Sequence, residues 1–370
     1  MSSARARSNP KDVNRGYAVF KTGVQISGNG TLIRTESHYV EDIVRRRSEG
    51  DNQYFFCEHY VTEGGRISGS TASADFDKFY GTVYTNWNNF PHHTGLPGSP
   101  SDAAVALNAA ARTNPSRPYI DVSAEVLQMV DLIHLLRRAG NSVIKRFANG
   151  NLAIQFGAAP LMGMSLKLFK FAEQLDRRMK EMKRLQSNHG YRKTTNHGTF
   201  SASGSYSKTI QSQGVFSNKP FFANTKEVVK AHTRWLPSGD FRRLDSHHLR
   251  LLTHQVMLGM KDGRVQWDLA ALWQIIPWSW LIDWGADVSA YFKANRNIVN
   301  ATFAGVTVMR ETSTEYTEPG HWVQGCYFEP TRITRVTKRR NRVSLSPTAQ
   351  FPLLNGNQMG ILASLAVLRR

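Results

Sequence analysis

Two carboxylates, Asp283 and Asp287, stand four residues apart. On a helix that spacing puts both on one face, where a carboxylate pair can serve as acid and base. The commoner use of such an aspartate is to accept hydrogen bonds from the start of a neighbouring helix, and that use is expected here. Histidine pairs occur at His92-His93 and His247-His248. Adjacent histidines on a strand point to opposite faces, and neither pair comes with an HExxH or Cys–His spacing. Walker, GxSxG and GxGxxG patterns are absent. No catalytic set, metal or cofactor is therefore expected, and the chain reads as a binding protein rather than an enzyme.

The residues that stand out are cations. A formal net charge of +19 over 370 residues calls for a polyanionic partner, nucleic acid ahead of an anionic membrane surface. Two runs concentrate that charge. One contains Arg177, Arg178, Lys180, Lys183 and Arg184 against Asp176 and Glu181. These five are expected to contact RNA phosphates. The other, "TRITRVTKRRNRV", holds Arg332, Arg335, Lys338, Arg339, Arg340 and Arg342 with no acid among them. It is a candidate anion-binding strand, and cations on a strand edge that only block aggregation are the competing reading. A third run, Arg45-Arg46-Arg47, is diluted by Glu41, Asp42 and Glu49.

Strands and helices must position these groups. Residues 15–95 are rich in Tyr, Phe, Thr, Val and Gly, with turns at Gly28-Asn29-Gly30 and Gly64-Gly65, which predicts a set of hairpins. "FPHHTGLPGSP" marks a boundary. A helix follows on Val122, Val126, Met129, Val130, Ile133 and Leu136, with Arg137 and Arg138 in its last turn and Gly140 after it. A longer helix is expected from Pro160, with Leu161, Met164, Leu168, Phe171, Leu175, Met179 and Met182 on its apolar side. Lys167, Lys170 and the first cationic run fall on its other side. Residues 187–222 alternate as strands do, 225–298 are expected to be mainly helical, and 301–345 return to strand. Met359, Leu362, Leu365 and Leu368 line a terminal helix tipped by Arg369 and Arg370.

The expected fold class is α+β, an elongated two-part body in which the chain crosses several times between a helical bundle and an antiparallel β-sheet region. The helical region takes 101–186, 225–298 and 351–370. The β-rich region takes 12–95, 190–222 and 301–345.

Half of the eight tryptophans crowd into "WQIIPWSWLIDW", residues 273–284. The apolar run from Leu269 to Ile282 is interrupted by Gln274, Pro277 and Ser279 and is shorter than the ~20 residues that cross a bilayer. A core segment is expected, with no membrane span. The first twenty residues lack the apolar stretch of a signal peptide, so synthesis and retention in the cytosol are expected. Cys57 and Cys326 exclude a disulfide framework; one bridge stays open, and two free thiols are expected.

"IPWSWLIDW", residues 276–284, resembles the "hPfSFhhDW" signature (h, apolar) of the maturation proteins of single-stranded RNA bacteriophages, the leviviruses. "LAIQFGAAPLM", residues 152–162, is similar to the family's "LxhQFGWhPLh". "RPYIDVSAEVLQMVDL", residues 117–132, resembles one of its helix starts, and "LASLAVLRR" resembles its apolar, arginine-tipped ending. The matches keep the family's order and fall in segments expected to be helical. Carried over residue by residue, they mark Gln155, Phe156, Gly157, Pro160, Leu161, Trp273, Pro277, Ser279, Asp283 and Trp284 as a motif core. A helix would start at Pro277 and run through Trp284, Val288 and Tyr291. The chain departs from the pattern at Gly163-Met164-Ser165, where the family has an acid, at Gln274 in place of Glu, and at Trp278 and Trp280 in place of Phe.

The resemblance implies a single copy per virion that replaces a coat-protein dimer in the shell. It implies a helical part on the viral genomic single-stranded RNA, including structure near its 3′ end, with Arg369 and Arg370 adding to the contact. It implies an outward β-rich part that attaches to a bacterial pilus, after which the protein enters the cell with the RNA. The protein would be made in the host bacterial cytoplasm and end in the virion. Other classes stay open at this point: a host-lysis effector of the same family that blocks cell-wall synthesis, an RNA-processing protein without a visible catalytic motif, and a multi-copy capsid subunit.

Overall fold

The computed structural model describes residues 3–14, 17–20, 25–27, 32–44, 53–64, 66–69, 76–82, 90–92, 96–120, 170–207, 210–212, 215–261, 264–265, 283 and 287–345. Seven strands come first: β1 (Ser3–Asn14), β2 (Tyr17–Phe20), β3 (Gln25–Ser27), β4 (Leu32–Val44), β5 (Phe55–Gly64), β6 (Arg66–Gly69) and β7 (Phe76–Thr82). Helices α1 (Asp102–Thr113) and α2 (Phe171–Gln186) follow. Next come β8 (Tyr191–Tyr206), β9 (Ile210–Ser212), β10 (Val215–Ser217) and β11 (Phe221–Pro237). A 3-10 turn (Gly239–Arg243) leads into α3 (Ser246–Met257), the hairpin β12 (Met260–Lys261) and β13 (Arg264–Val265), and α4 (Val288–Ala294). The last strands are β14 (Ala301–Glu318), β15 (His321–Val323), β16 (Cys326–Phe328) and β17 (Thr331–Val343).

The fold is mixed α+β. Seven strands form one sheet in the order β1-β4-β5-β17-β14-β11-β8, and six form another in the order β15-β16-β6-β7-β2-β3. The long pairs β1–β4, β4–β5 and β5–β17 are antiparallel. The chain divides into two compact units: residues 1–100, 195–231 and 307–342 make unit 1, and 101–194, 232–306 and 343–370 make unit 2.

Unit 1 is built on strands. Its core gathers Tyr60, Phe90, Phe221, Tyr316, Cys326, Phe328 and Ile333. Phe90 is fully buried, with Phe221 and Tyr316 each 5.0 Å from its ring centre in edge-on packing. The Tyr60 hydroxyl donates to the Phe90 carbonyl at 2.8 Å, so the polar tip of the ring is satisfied inside the core. Cys57 and Cys326 are both free thiols, and burial pushes the Cys326 thiol up.

Unit 2 holds the four helices of the described residues. Ser101 caps α1 by accepting from the Ala104 amide at 3.2 Å. The helix buries Ala104, Val105, Ala106, Leu107, Ala109 and Ala110, and its small side chains let α4 approach through Ala294. Asn114, just past α1, donates to the carbonyls of Lys293, Ala294 and Arg296 at 2.8–3.0 Å. It thereby satisfies carbonyls at the C-terminal end of α4 that no helical amide reaches. A larger core packs Met182 and Leu185 of α2 and Leu249 and Val256 of α3 against Tyr191, Trp235, Phe241, Ile298 and Val299.

Two expectations from the sequence are corrected here. Residues 225–237 are not helical: they belong to β11, whose side chains alternate buried and outward along its length. The buried positions include Thr225, Glu227 and Thr233, so the period of two is written partly in polar residues and is hidden from a search for apolar spacing. The helix expected to run from Pro277 through Val288 is also broken. Asp287 lies outside α4 as its N-cap residue, and the Asp283 carboxylate accepts the Ser289 amide at 2.9 Å. A carboxylate at a helix start satisfies an amide that has no partner within the helix.

Candidate nucleic-acid interface

Helix α2 sorts its cations by burial. Leu175, Arg178, Met182 and Leu185 form its buried stripe, at spacings of three and four. Arg177, Lys180, Lys183 and Arg184 lie on the exposed side. Of the five cations assigned to RNA, Arg178 is therefore misplaced: its side chain is 8% exposed, against 65% for Arg177. Its position between Leu175 and Met182 puts it on the core side, which a count of charges does not register. Lys170 is a turn residue ahead of Phe171, where α2 begins, and the part of the expected helix from Pro160 to residue 169 lies outside the described residues.

The buried arginine has a defined task. The Glu181 carboxylate accepts from Arg117 at 2.6 Å and Arg178 at 2.7 Å through one oxygen. Its other oxygen accepts from the Tyr191 hydroxyl at 2.8 Å and Lys193 at 2.9 Å. Arg178 also donates to the Arg117 carbonyl. Burial alone would raise the Glu181 carboxyl, but the Arg117 and Arg178 guanidiniums and the hydrogen bond from Lys193 outweigh it and hold the group well below the usual carboxylate range. Burial brings Arg178 down to about 10, still charged at neutral pH. Burial and the Glu181 charge push the Tyr191 hydroxyl up. One carboxylate thus gathers four donors from α2, β8 and the segment at Arg117, fixing the helix so that its opposite side faces solvent.

On that opposite side, Lys180, Lys183 and Arg184 meet no carboxylate among the described residues. Arg177 pairs with Glu173 one turn back, both of them more than half exposed. Such a pair contributes little to stability and yields readily to a phosphate. Arg242, Arg243 and Arg250, exposed on the 3-10 turn and α3, were not singled out by the sequence. The pair Arg242-Arg243 and the single Arg250 are separated in the chain, yet the turn and α3 both pack against α2.

The second cationic run behaves differently. On β17, Arg332 pairs with Glu315 at 2.6 Å, Arg335 with Glu58 at 2.6 Å and Lys338 with Glu311 at 3.2 Å. Arg335 also donates to the Phe90 carbonyl and lies over the Tyr60 ring. Arg340 donates to the Gln53 carbonyl at 2.8 Å and lies over Phe55. Arg339 and Arg342 are exposed. Acids missing from the local sequence are supplied by neighbouring strands for Arg332, Arg335 and Lys338, and of these three pairs the one between Arg335 and Glu58 is the least exposed.

The other candidate groups are engaged in structure. His248 lies beside Asp245, which caps α3 by accepting the His248 amide at 2.8 Å. His92 meets the hydroxyls of Thr314 at 2.6 Å and Thr337 at 2.9 Å, one through each ring nitrogen. Burial, then the Arg335 charge, brings His92 down to about 4, so it is neutral. No cluster able to hold a metal occurs among the described residues. A cavity of about 340 Å³ between α1 and α4 is lined by Asp283, Asp287, Arg112 and Lys293, two acids with two bases. No helix among the described residues is long and apolar enough to cross a membrane. Of the motif core, only Asp283 lies within the described residues; Gln155, Phe156, Gly157, Pro160, Leu161, Trp273, Pro277, Ser279 and Trp284 lie outside them, as do Arg369 and Arg370.

No protein-family model matches the chain, and no curated protein does.

Proposed function

We propose that this chain is the maturation protein of a single-stranded RNA bacteriophage. It is carried in the virion as one copy in place of a coat-protein dimer, after synthesis in the host bacterial cytoplasm. Its helical part, a bundle to which the chain returns several times, binds the genomic RNA, including a site near the 3′ end. Its β-rich part attaches the particle to a bacterial pilus. The protein works by binding and needs no catalytic group.

The observation that supports this best is the solvent side of α2. Lys180, Lys183 and Arg184 lie exposed and meet no acid among the described residues, while the Glu181 cluster holds the helix from behind. Lone cations on a fixed helix suit phosphate contacts, which position RNA without reading its sequence. Recognition of one genomic site would then rest on the shape of a folded hairpin and on its unpaired bases. The ordered matches to the family's helical motifs supply the identity of the RNA and the setting. Replacing Lys180, Lys183 and Arg184 together by Ala tests the RNA half. The slope of log affinity against log salt should flatten, and an unchanged slope removes α2 from the interface.

A further inference from the structure

The seven-stranded sheet ends in two unlike edges. Strand order puts β1 at one end and β8 at the other, so each has one side without a strand among the described residues. A bare edge offers unpaired N–H and C=O groups to any other strand, and proteins blunt it with charges and proline. The sequence of β1 is blunted in that way, with Arg5, Arg7, Pro10, Lys11 and Asp12. β8 carries its cations near its start, at Arg192 and Lys193, and from Gly198 to Tyr206 it has neither a charge nor a proline.

The two faces of this stretch, which belongs to unit 1, also differ. Thr199, Ser201, Ser203 and Ser205 alternate along it and are exposed. Phe200, Ala202, Gly204 and Tyr206 occupy the other face, toward the unit 1 core, and are half-buried. Tyr206 packs beside Phe90 and Tyr316, with ring centres 5.2 and 5.7 Å away. Phe200 folds back over Gly198, where an added Cβ would stand 3.0 Å from its ring. Between the two rings stand Ala202 and Gly204, which have almost no side chain to fill the margin of the sheet. One more strand would pair the open backbone of residues 199–206. It would also bury Phe200 and Tyr206 further and set an apolar side chain over Ala202 and Gly204.

We infer that this edge is completed in the assembled particle by an extended strand of a neighbouring shell subunit, one whose side chains alternate apolar and uncharged polar. Its backbone supplies the hydrogen bonds, its apolar side chains continue the core face, and its polar ones lie beside the hydroxyls. This rests on the shell half of the reading above and names the strand that joins the chain to its neighbours. RNA is a poor occupant, because residues 198–206 offer it no cation. A contact with a receptor must stay open until attachment, whereas an unguarded edge is a liability for as long as it stays open. A permanent neighbour, present from assembly onward, fits it.

The test is amide hydrogen exchange of the peptide spanning 199–206, in the full chain alone and in purified particles. In the chain alone, the amides that face away from β11, about half of those in an antiparallel edge strand, should exchange fast. In particles that fast fraction should be lost. Ser201→Lys combined with Ser203→Lys sets two charges beside the edge. Particles should then lose most copies of the chain, while its RNA salt slope stays unchanged, and Ser203→Thr should keep the copies. Slow exchange in the chain alone overturns the inference, because the chain itself or a second copy then covers the edge; dilution tells these two apart. Fast exchange that persists in particles overturns it as well, as does full incorporation of the double lysine variant. Particles that contain no copy of the chain overturn the shell reading itself.

Discussion

Helix α2 and strand β17 carry similar charge and use it in opposite ways. On α2 every cation but Arg178 lies on the exposed side of the helix. Lys180, Lys183 and Arg184 meet no acid there among the described residues. Strand β17 lies between β5 and β14 in the sheet, and Glu315, Glu58 and Glu311 come within ion-pair distance of Arg332, Arg335 and Lys338. A cationic run in a sequence is therefore not yet a cationic surface. On an outer helix it remains one, whereas inside a sheet the neighbouring strands decide.

The strongest way to break this contrast is at the one cation of α2 that does not share the exposed side. Glu181→Ala leaves Arg178 buried without its carboxylate, a loss of about 3–5 kcal/mol for a broken buried pair. Urea unfolding followed by tryptophan fluorescence measures it. A cost within about 0.5 kcal/mol, the range for ordinary surface changes, would mean that the cluster does not anchor α2.

The second effect concerns RNA. Each phosphate that is no longer neutralised should reduce the salt slope by roughly 0.7–0.9, so Lys180→Ala, Lys183→Ala and Arg184→Ala combined should flatten it by about two to three units. The same number of changes at Arg332, Arg335 and Lys338 should leave it unchanged. Filter binding across a salt series compares the two sets. Equal flattening by both would erase the distinction between helix and strand.

A third effect separates the units by pH. His92 in unit 1 is held neutral at about 4, below the ~6.5 of an unfolded histidine. The unfolded chain takes up this proton first, so stability falls as pH drops below ~6.5 and levels off under about 4. Glu181 in unit 2 is depressed instead. Its contribution is present above the unfolded carboxylate value of ~4.3 and is lost only as pH falls further. Melting of His92→Gln and Glu181→Gln variants across pH 3–8 should remove the upper and lower steps respectively. The smallest effect is at the surface: Lys338→Ala should cost under about 1 kcal/mol, because its pair with Glu311 is half exposed on both sides.

How much of this was legible depended on where the chemistry was written. The strand-rich and helix-rich stretches could be read where apolar residues kept their period, as around Leu175 and Met182. Strand β11 was missed because Thr225, Glu227 and Thr233 fill buried positions, with Glu227 held by Arg310 at 2.8 Å and Ser99 at 2.6 Å. Those partners lie far away in sequence, so no local window contains them. The exposed cations of α2 followed from helical periodicity, except Arg178, whose place was set by a carboxylate one turn on and an arginine from another segment. The capping by Asp283 was expected from its residue type, but the break at Asp287 was not. The pairing of β17 with acids depends on strand register, which the sequence of a single strand does not contain.

The central claim is that this chain is a single RNA-binding copy in a virion. Crosslinking of RNA to the chain in purified particles, with copy number counted from the same preparation, tests it most directly. The expected result is one copy per particle, joined through peptides containing Lys180, Lys183 or Arg184 to a few sites of one genome, the 3′ end among them. Many copies per particle, or crosslinks no richer on α2 than on β17, would contradict it.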